Sequence, residues 1–241
     1  TQFTAVESGK ALEYMAMAGW KTKQMIGGLP GIMNLAAASG EDLGSVSDIV
    51  TDALTAFRMN AEDAGRFADV LAQASSNANT NVGMMGATFQ KVAPVAGALG
   101  YSVEDMSLAI GLMANASIKA DVAGTSLKTS LANMAKPTKQ MKAYMDRYGI
   151  SLTRSDGTMK TFREVVDNLR GSLGGLSEAE QVAAATAIFG KESFAGMLAV
   201  VNASDEDYKK LSDSINNAKG AAERMAAIKL DNLEGDITLM K

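Results

Sequence analysis

Apolar residues recur every three or four positions along most of this chain, a spacing typical of amphipathic helices. The clearest runs are Val46, Ile49, Val50, Ala53, Leu54 and Phe57; Phe67, Leu71, Ala74 and Ala78; and Val103, Met106, Ile110 and Met113. Each run predicts one helical face that is turned toward a core. Runs of β-branched residues are nearly absent, so we predict an all-α fold.

Polar residues mark the predicted starts of several helices. Ser102 is followed three residues later by Asp105, which is the arrangement of a capping box at a helix N-terminus. Gly100 suits the left-handed residue that ends the preceding helix. The same capping arrangement predicts N-termini at three further pairs, Ser45 with Asp48, Asn60 with Asp63, and Ser177 with Glu180.

Glycine and proline residues divide the pattern into short pieces. We predict a first helix over residues 5–25, a break at residues 27–30 and a short helix over residues 32–38. A single helix of 241 residues would be ~360 Å long, and these breaks exclude it. The sequence therefore predicts a compact bundle of short helices, with breaks at Gly27-Gly28, Pro30, Pro94, Gly100, Pro137, Gly149 and Gly174-Gly175.

Residues 150–160 are the one stretch that departs from the helical pattern. Ile150, Leu152 and Arg154 alternate with polar residues, and Asp156-Gly157 is a dipeptide that favours tight hairpin turns. We predict one small β-hairpin or an extended turn there.

The C-terminal residues 204–241 carry a different stripe. Apolar residues continue through residue 240 with three consecutive steps of four, as in coiled coils that depart from a strict heptad. We expect residues 1–203 to form a compact helical module. Residues 204–241 then begin a longer coiled-coil-like helix, and we expect the chain to be a fragment of a longer polypeptide.

Two blocks of the chain share one layout. Residues 60–94 and 102–137 each run from a capping residue and an acidic pair, through a small-residue crossing, to a proline. Their offset of about 42 residues lies in the range of helical-hairpin repeats. The layout predicts a duplicated two-helix unit.

The order of these segments resembles the core region of bacteriophage tail tape measure proteins. The resemblance rests on the 99–137 segment, on Ala11 to Trp20, on Asn34 to Ala38, on Tyr148-Gly149-Ile150 and Asp156-Gly157, and on Thr186 to Lys191. It implies a structural phage or prophage tail protein that sets tail length, scaffolds the tail tube and leaves during DNA delivery. It implies a place in the virion tail lumen, and in the host bacterial cytoplasm during assembly.

The resemblance also implies partners but no active site. The implied partners are the tail tube protein, tail assembly chaperones, and baseplate or tail tip proteins, with a homo-oligomer as a further option. An alternative function is a helical component of a related contractile injection system or tailocin. A less favoured alternative is a cell-wall-cleaving tail segment, which would need an acid in an apolar, desolvated setting, and none is evident.

Composition narrows the chemistry further. The 241 residues are 47% hydrophobic but only 5% aromatic, with 16 Met, so we expect a core of small and flexible side chains. The net charge is −4 without a basic stripe, which argues against direct sequence-specific binding of nucleic acid. The absence of Cys and His removes thiol and histidine-dependent nucleophiles and the common zinc sites. We therefore predict no enzyme activity, no catalytic, cofactor-binding or metal site, no cofactor, and no membrane span.

Two features invite a chemical interpretation that the sequence does not favour. Residues 190–193, Gly-Lys-Glu-Ser, resemble the end of a phosphate loop, but Ala185 occupies the position of the required first glycine. A helix-ending Gly190 explains the segment better. The acidic clusters at 41–42, 62–63, 104–105 and 205–207 lie in predicted first turns, where negative charge is favoured by the helix dipole.

Two sets of side chains remain candidates for a partner surface. Several Met residues could form an adaptable surface, although core filling is favoured. The small residues Ser107, Gly111 and Asn115 permit a close helix crossing, by default within this chain and alternatively with a second copy. The Met set comprises Met84, Met85, Met106, Met113, Met134, Met141 and Met145.

Overall fold

The computed structural model describes residues 2–231, which form thirteen α-helices and one 3-10 turn at Ala61–Asp63. The predicted all-α fold class is confirmed. The helices are α1 Ala5–Met17, α2 Thr22–Ser39, α3 Leu43–Ala56, α4 Ala64–Asn77, α5 Val82–Ala98, α6 Val103–Asn115, α7 Ala120–Ala135, α8 Lys139–Arg147, α9 Phe162–Leu173, α10 Glu178–Phe189, α11 Phe194–Val201, α12 Asp205–Asn216 and α13 Ala221–Leu230.

The first seven helices pack as two layers. One layer holds α1, α3, α5 and α7 side by side, and the other holds α2, α4 and α6. The hairpins α2–α3, α4–α5 and α6–α7 each place one helix in each layer, so the structure stacks three similar units. The two-helix unit predicted at residues 60–94 and 102–137 is present as α4–α5 and α6–α7, and α2–α3 precedes them as a third copy.

The turns that lead into the three units share a backbone conformation. Each contains one left-handed residue, Gly19 (φ +83°), Arg58 (φ +56°) or Gly100 (φ +76°). The residue after it donates its backbone N–H to a carbonyl five residues earlier, in the pairs Trp20–Met15, Met59–Leu54 and Tyr101–Ala96. This bond satisfies a carbonyl at the end of one helix while the chain reverses into the next.

Neighbouring units approach closely at glycines. A Cβ built on Gly31 of α2 would lie 2.7 Å from the Cα of Gly65 in α4. One built on Gly124 of α7 would lie 3.0 Å from the carbonyl oxygen of Thr88 in α5, whose hydroxyl donates to the Ala120 carbonyl at 2.9 Å. Glycine is therefore needed at these crossings because any side chain would meet backbone.

Helix α6 lies at the centre of the fold and is buried on nearly every side. Its small-residue stripe faces neighbours in the same chain. A Cβ at Gly111 would lie 2.5 Å from a methyl carbon of Leu211 in α12, and Asn115 accepts the backbone N–H of Asn79 at 2.9 Å. The default prediction for this stripe, a crossing within the chain, is confirmed.

Two arginines of α9, spaced two helical turns apart, form hydrogen bonds with α12 and with the residues just before it. Arg163 donates to Ser212 at 2.7 Å and to Asn216 at 2.8 Å. Arg170 donates to the Ala203 carbonyl at 2.7 Å and to the Asp205 carboxylate at 2.6 Å. Helix α12 is thereby packed on α4 and α6 as part of the same core.

Three of the predicted helix breaks are wrong, namely Gly27-Gly28, Pro30 and Pro94. Helix α2 continues from residue 22 to residue 39 with Pro30 inside it, and α5 likewise contains Pro94. The break near the N-terminus lies earlier, at Gly19. Gly28 does not end a helix: a Cβ there would lie 2.5 Å from the indole of Trp20, so this glycine serves packing. Tertiary contacts have outweighed the helix-breaking tendency of these residues.

Most predicted caps are confirmed, and one is wrong. Ser102 with Asp105 and Ser177 with Glu180 form capping boxes, and the backbone N–H of Asn60 donates to Asp63. The predicted box of Ser45 with Asp48 does not form. Asp42 caps α3 instead and accepts the backbone N–H of Ser45 at 2.9 Å, so the helix starts three residues earlier than predicted.

The segment predicted as a β-hairpin or extended turn is a turn. Thr153 and Met159 form one isolated antiparallel bridge, and no strand is formed in the described part of the chain. Gly157 takes a left-handed conformation (φ +84°), and the Arg154 guanidinium holds the turn by donating to Thr158 and to the Met159 carbonyl. Two backbone bonds cross the turn, from Arg154 N–H to the Thr158 carbonyl and from Lys160 N–H to the Leu152 carbonyl, both at 2.8 Å. They support one bridge and no strand, so the hairpin prediction is wrong and the turn is what forms.

The predicted long C-terminal helix is interrupted. Residues 205–230 form α12 and α13, separated at Gly220, which has φ +73°. The apolar stripe through Leu211, Ile215 and Ala222 is buried against α2, α4 and α6. Residues 232–241 lie outside the described residues, so the coiled-coil prediction for them, and the division at residue 203, stay predictions.

Candidate interaction surfaces

The Met residues proposed as a partner surface lie mainly inside the fold. Met85, Met106 and Met113 are fully buried, and Met134 and Met145 are nearly so. Met84 is 38% exposed and Met141 is half-buried. Core filling, the favoured interpretation, is therefore confirmed for most of the set, since few aromatic residues are available to fill these positions.

The other segments that invited a chemical interpretation are helix ends. Gly190 ends α10 with φ +94°, in keeping with a C-terminal glycine and not with a phosphate loop. The acidic pair at residues 104–105 and the acidic run at residues 205–207 lie in the first turns of α6 and α12. Within residues 2–231, no three acidic side chains come together in a way that could hold a metal ion.

A groove of about 630 Å³ opens between α1 and α3 and reaches Pro94 of α5. Asp48 and Asp52 lie in it one helical turn apart, beside Tyr14 and Met17. Neither carboxylate has a cationic group within 4.0 Å in the described part of the chain. The groove therefore combines apolar walls with two unpaired negative charges.

Burial raises the pKa of Asp48 above its ordinary value, and the nearby Asp52 carboxylate raises it further. The expectation that no acid occupies a desolvated setting is therefore wrong for this residue. Asp48 lies in the second turn of α3 and not in the predicted capping box, so its place in a groove does not follow from the capping pattern. Its spacing of four residues from Asp52 is the signal that could have revealed a shared face.

The outer side of α1 is the second exposed surface. Val6 is 72% exposed and Met17 is 76% exposed, and nothing lies within 4 Å of a Cβ built on Gly9 between them. The opposite side of the same helix is buried through Ala11 and Met15. The outer side of this helix is therefore mixed, with Val6 and Met17 exposed beside Lys10 and Glu13.

Other large apolar side chains are exposed singly elsewhere. They are Ile26 of α2, Met84 of α5, Val122 of α7, Met159 in the turn before α9, Val182 of α10 and Ile228 of α13. No helix in residues 2–231 combines the length and the apolar character required to cross a bilayer. Helix α1 carries two exposed apolar residues of this kind, Val6 and Met17.

Comparison with known proteins agrees with this picture of a structural module. The family model described as "Phage-related minor tail protein" matches residues 1–190. The "Tape measure protein" of Pneumococcus phage Dp-1 is 36% identical over 240 residues, which is 100% of this chain and 21% of that protein. The "Probable tape measure protein" of Escherichia phage P2 is 23% identical over 239 residues, which is 98% of this chain and 29% of that protein.

The comparisons also show how much of its relatives' length the chain covers. It spans between a fifth and a third of the length of the two curated relatives it matches. No solved structure matches it. Because the family model covers most of the chain, from α1 through α10, the chain belongs to the phage-related minor tail protein family.

Proposed function

We propose that this chain is the folded core of a tape measure protein, a module that is docked and carried during tail assembly while length is measured elsewhere in the polypeptide. The observation that supports this role is the shortness of its helices. The longest, α2, has 18 residues and spans about 27 Å. A stack of such helices has a fixed size and cannot act as an extended ruler.

The same proposal includes where the module acts and with what. It would lie in the lumen of the virion tail, after assembly in the host bacterial cytoplasm. Its partners would be the tail tube protein, tail assembly chaperones, and baseplate or tail tip proteins. The names of the two relatives support this assignment, and the outer side of α1 and the groove beside it are the surfaces best suited to such contacts. The net charge of −4 favours protein partners over nucleic acid.

Deletions in the phage that encodes the full protein test whether this module docks while another region measures length. Removing the coding sequence for residues 5–230 should abolish tails, because the docking module is missing. Removing the same number of residues from a predicted coiled-coil region outside the module should give tails shortened by ~1.5 Å per residue. Electron microscopy measures both. Intact tails shortened by ~340 Å after deletion of the module would show that it belongs to the ruler.

We also propose that the module is not an enzyme. Asp48 and Asp52 lie together in the groove beside α1, and burial raises the pKa of Asp48, so this pair is a candidate for acid–base chemistry. Asp52 is exposed, however, and α3 supplies both carboxylates from a single helical face. A turbidity assay on peptidoglycan tests this: we expect no lysis. Lysis by the chain that is lost in Asp48→Asn would contradict the proposal.

The proposal moves the boundary between module and rod. The sequence predicts a module at residues 1–203 and a coiled-coil-like rod from residue 204. Helices α12 and α13 pack on the module, so we place the start of any rod after residue 230. Small-angle scattering of the chain tests the compact part. We expect a globular profile, and a rod-like profile over the whole chain would contradict the proposed division.

A further inference from the structure

The groove beside α1 continues at Asp52 into a smaller recess between α3 and α5. The recess has a volume of about 170 Å³, and its apolar walls are formed by Ile49, Ala53, Phe89 and Ala93. Asp52, Ala56 and Pro94 line both the groove and the recess, so the two form one trough that runs across α3 from α1 to α5. The trough therefore places an apolar pocket next to a pair of carboxylates.

The trough is lined by acceptors that lack matching donors. Within residues 2–231, no lysine or arginine forms an ion pair with Asp48 or Asp52. Pro94 has no backbone N–H, so the carbonyl of Gln90, four residues earlier in α5 and also at the recess, lacks its helical donor. Burial raises the pKa of Asp48, as expected for a carboxylate that is partly withdrawn from water. Unused acceptors and negative charge in such a setting favour a cationic hydrogen-bond donor.

We propose that the trough binds a helical segment of a partner protein through an arginine side chain that enters the groove between Asp48 and Asp52. A guanidinium group carries five N–H donors in one plane, enough to bond two carboxylates, whereas lysine is a single point charge. The aliphatic stem of the arginine suits walls such as Met17 and Ala56. An apolar side chain of the same segment would fill the recess beside Phe89.

This inference rests on the proposed function, because a module that is docked during assembly needs a surface for its protein partner. The chemistry of the trough adds what that partner must present, namely an arginine next to an apolar side chain on one helical face. Two carboxylates without a cation repel phosphate groups, so the trough favours a protein segment over nucleic acid.

Peptide binding tests the inference. The probes are overlapping synthetic peptides of about five helical turns each that cover the tail proteins encoded beside the full protein. We expect the chain to bind at least one arginine-containing peptide. Replacing that arginine by Gln should weaken binding by about 10-fold or more, and replacing it by Lys should weaken it by about 3-fold. Absence of any bound peptide, or binding that survives the change to Gln, would overturn the proposal.

Variants of the chain locate the binding site. Asp48→Asn with Asp52→Asn should lose the same peptides, and its Tm should be unchanged or higher because a desolvated charge is removed. Glu192→Gln with Glu206→Gln is the matched control, since it removes two exposed charges outside the trough, and it should keep the peptides bound. Equal losses in both double variants would reduce the effect to net charge and overturn the proposal. Self-association of the chain that the Asp48/Asp52 double variant abolishes would place a second copy in the trough, and would overturn it as well.

Phage assembly separates failure of this inference from failure of the proposed function. Asp48→Asn with Asp52→Asn in the full protein should lower the number of complete tails by about 10-fold or more, and the control should not. Normal tails in this variant, together with loss of tails when residues 5–230 are deleted, would overturn the trough as the docking surface while the proposed function stands. Shortened but intact tails after that deletion would overturn the proposed function, and this inference with it.

Discussion

Asp69 in the middle of α4 caps the start of α13 by accepting the backbone N–H of Gly220 at 2.7 Å, across 151 residues of sequence. The same carboxylate accepts the backbone N–H of Ala222 at 3.0 Å. Helix α13 has no side-chain cap of its own. Asp69 therefore satisfies two backbone donors and places a negative charge at the positive end of the helix dipole.

Replacing this carboxylate should loosen the C-terminal helix. We expect Asp69→Ala to lower the free energy of unfolding by about 1–3 kcal/mol, because two N–H groups lose a charged acceptor. Chemical denaturation measures the loss, and hydrogen exchange should localise it to residues 221–230. Asp167→Ala on the exposed side of α9 is the control, with a change within about 0.5 kcal/mol. Equal effects from both variants would contradict the capping role.

Arg170 is expected to be the strongest single link between α9 and α12. Its guanidinium bonds the Ala203 carbonyl and the Asp205 carboxylate and lies 5.2 Å from the centre of the Tyr208 ring. We expect Arg170→Ala to lower the free energy of unfolding by about 2–3 kcal/mol, since both the hydrogen bonds and the ring contact are lost.

Arg170→Lys separates charge from geometry. A lysine keeps the charge but lacks the planar fork, so it should recover less than half of the loss. Lys209→Ala removes an exposed ion pair with Asp213 in the same helix and should change stability by no more than about 0.5 kcal/mol. Thermal unfolding of the three variants tests this order. If Arg170→Lys proves as stable as the unaltered chain, the fork is unnecessary.

Two helical glycines should respond to alanine in opposite directions. In an open helix position, Gly→Ala stabilises by about 0.5–1 kcal/mol, and we expect this at Gly171, where nothing lies within 4 Å. At Gly31 the new methyl group would collide with the Gly65 backbone, so Gly31→Ala should destabilise by about 1–3 kcal/mol. Denaturant midpoints measure both. Stabilisation by both variants would show that α2 and α4 are not in close contact.

The turns that lead into the stacked units offer a second pair of variants whose expected effects on stability are opposite. Gly100→Ala forces a side chain into a left-handed conformation without any steric contact nearby, and it should lower stability by about 1–2 kcal/mol. Arg58→Gly relieves the same strain at the equivalent turn and should raise stability by about 0.5–1 kcal/mol. Tm measurements on the two variants decide this. Destabilisation by Arg58→Gly would indicate that the arginine side chain stabilises its turn in another way.

Acid should weaken the cap of α9. The Thr161 backbone N–H and the Arg154 guanidinium lower the pKa of Glu164 from 4.5 to about 2. A carboxyl with a depressed folded-state pKa contributes stability above its unfolded pKa and loses that contribution as pH falls toward the folded value. Between pH 4.5 and about 2, the decline in stability should therefore be shallower in Glu164→Gln than in the unaltered chain. Parallel declines would contradict the assignment.

Local sequence signals determined the helical class and most helix starts. Ser102, Ser177 and Ser204 cap helices because a hydroxyl next to free backbone N–H groups acts over only three residues. The buried faces of α4 and α6 follow for a similar reason, since apolar spacing on a helix depends on the local sequence alone. Caps and apolar spacing are local signals, so the two-helix units at residues 60–94 and 102–137 can also be predicted from the sequence.

Tertiary structure decided which glycines and prolines end helices. Pro30 and Gly28 stay inside α2 because packing on Trp20 and on α4 outweighs a local preference of a few kcal/mol. The cap supplied to α13 by Asp69, and the groove that α1 and α5 form around Asp48 and Asp52, depend on how distant helices pack. Sequence spacing describes neighbours within about one helical turn, whereas these contacts arise only when the hairpins stack.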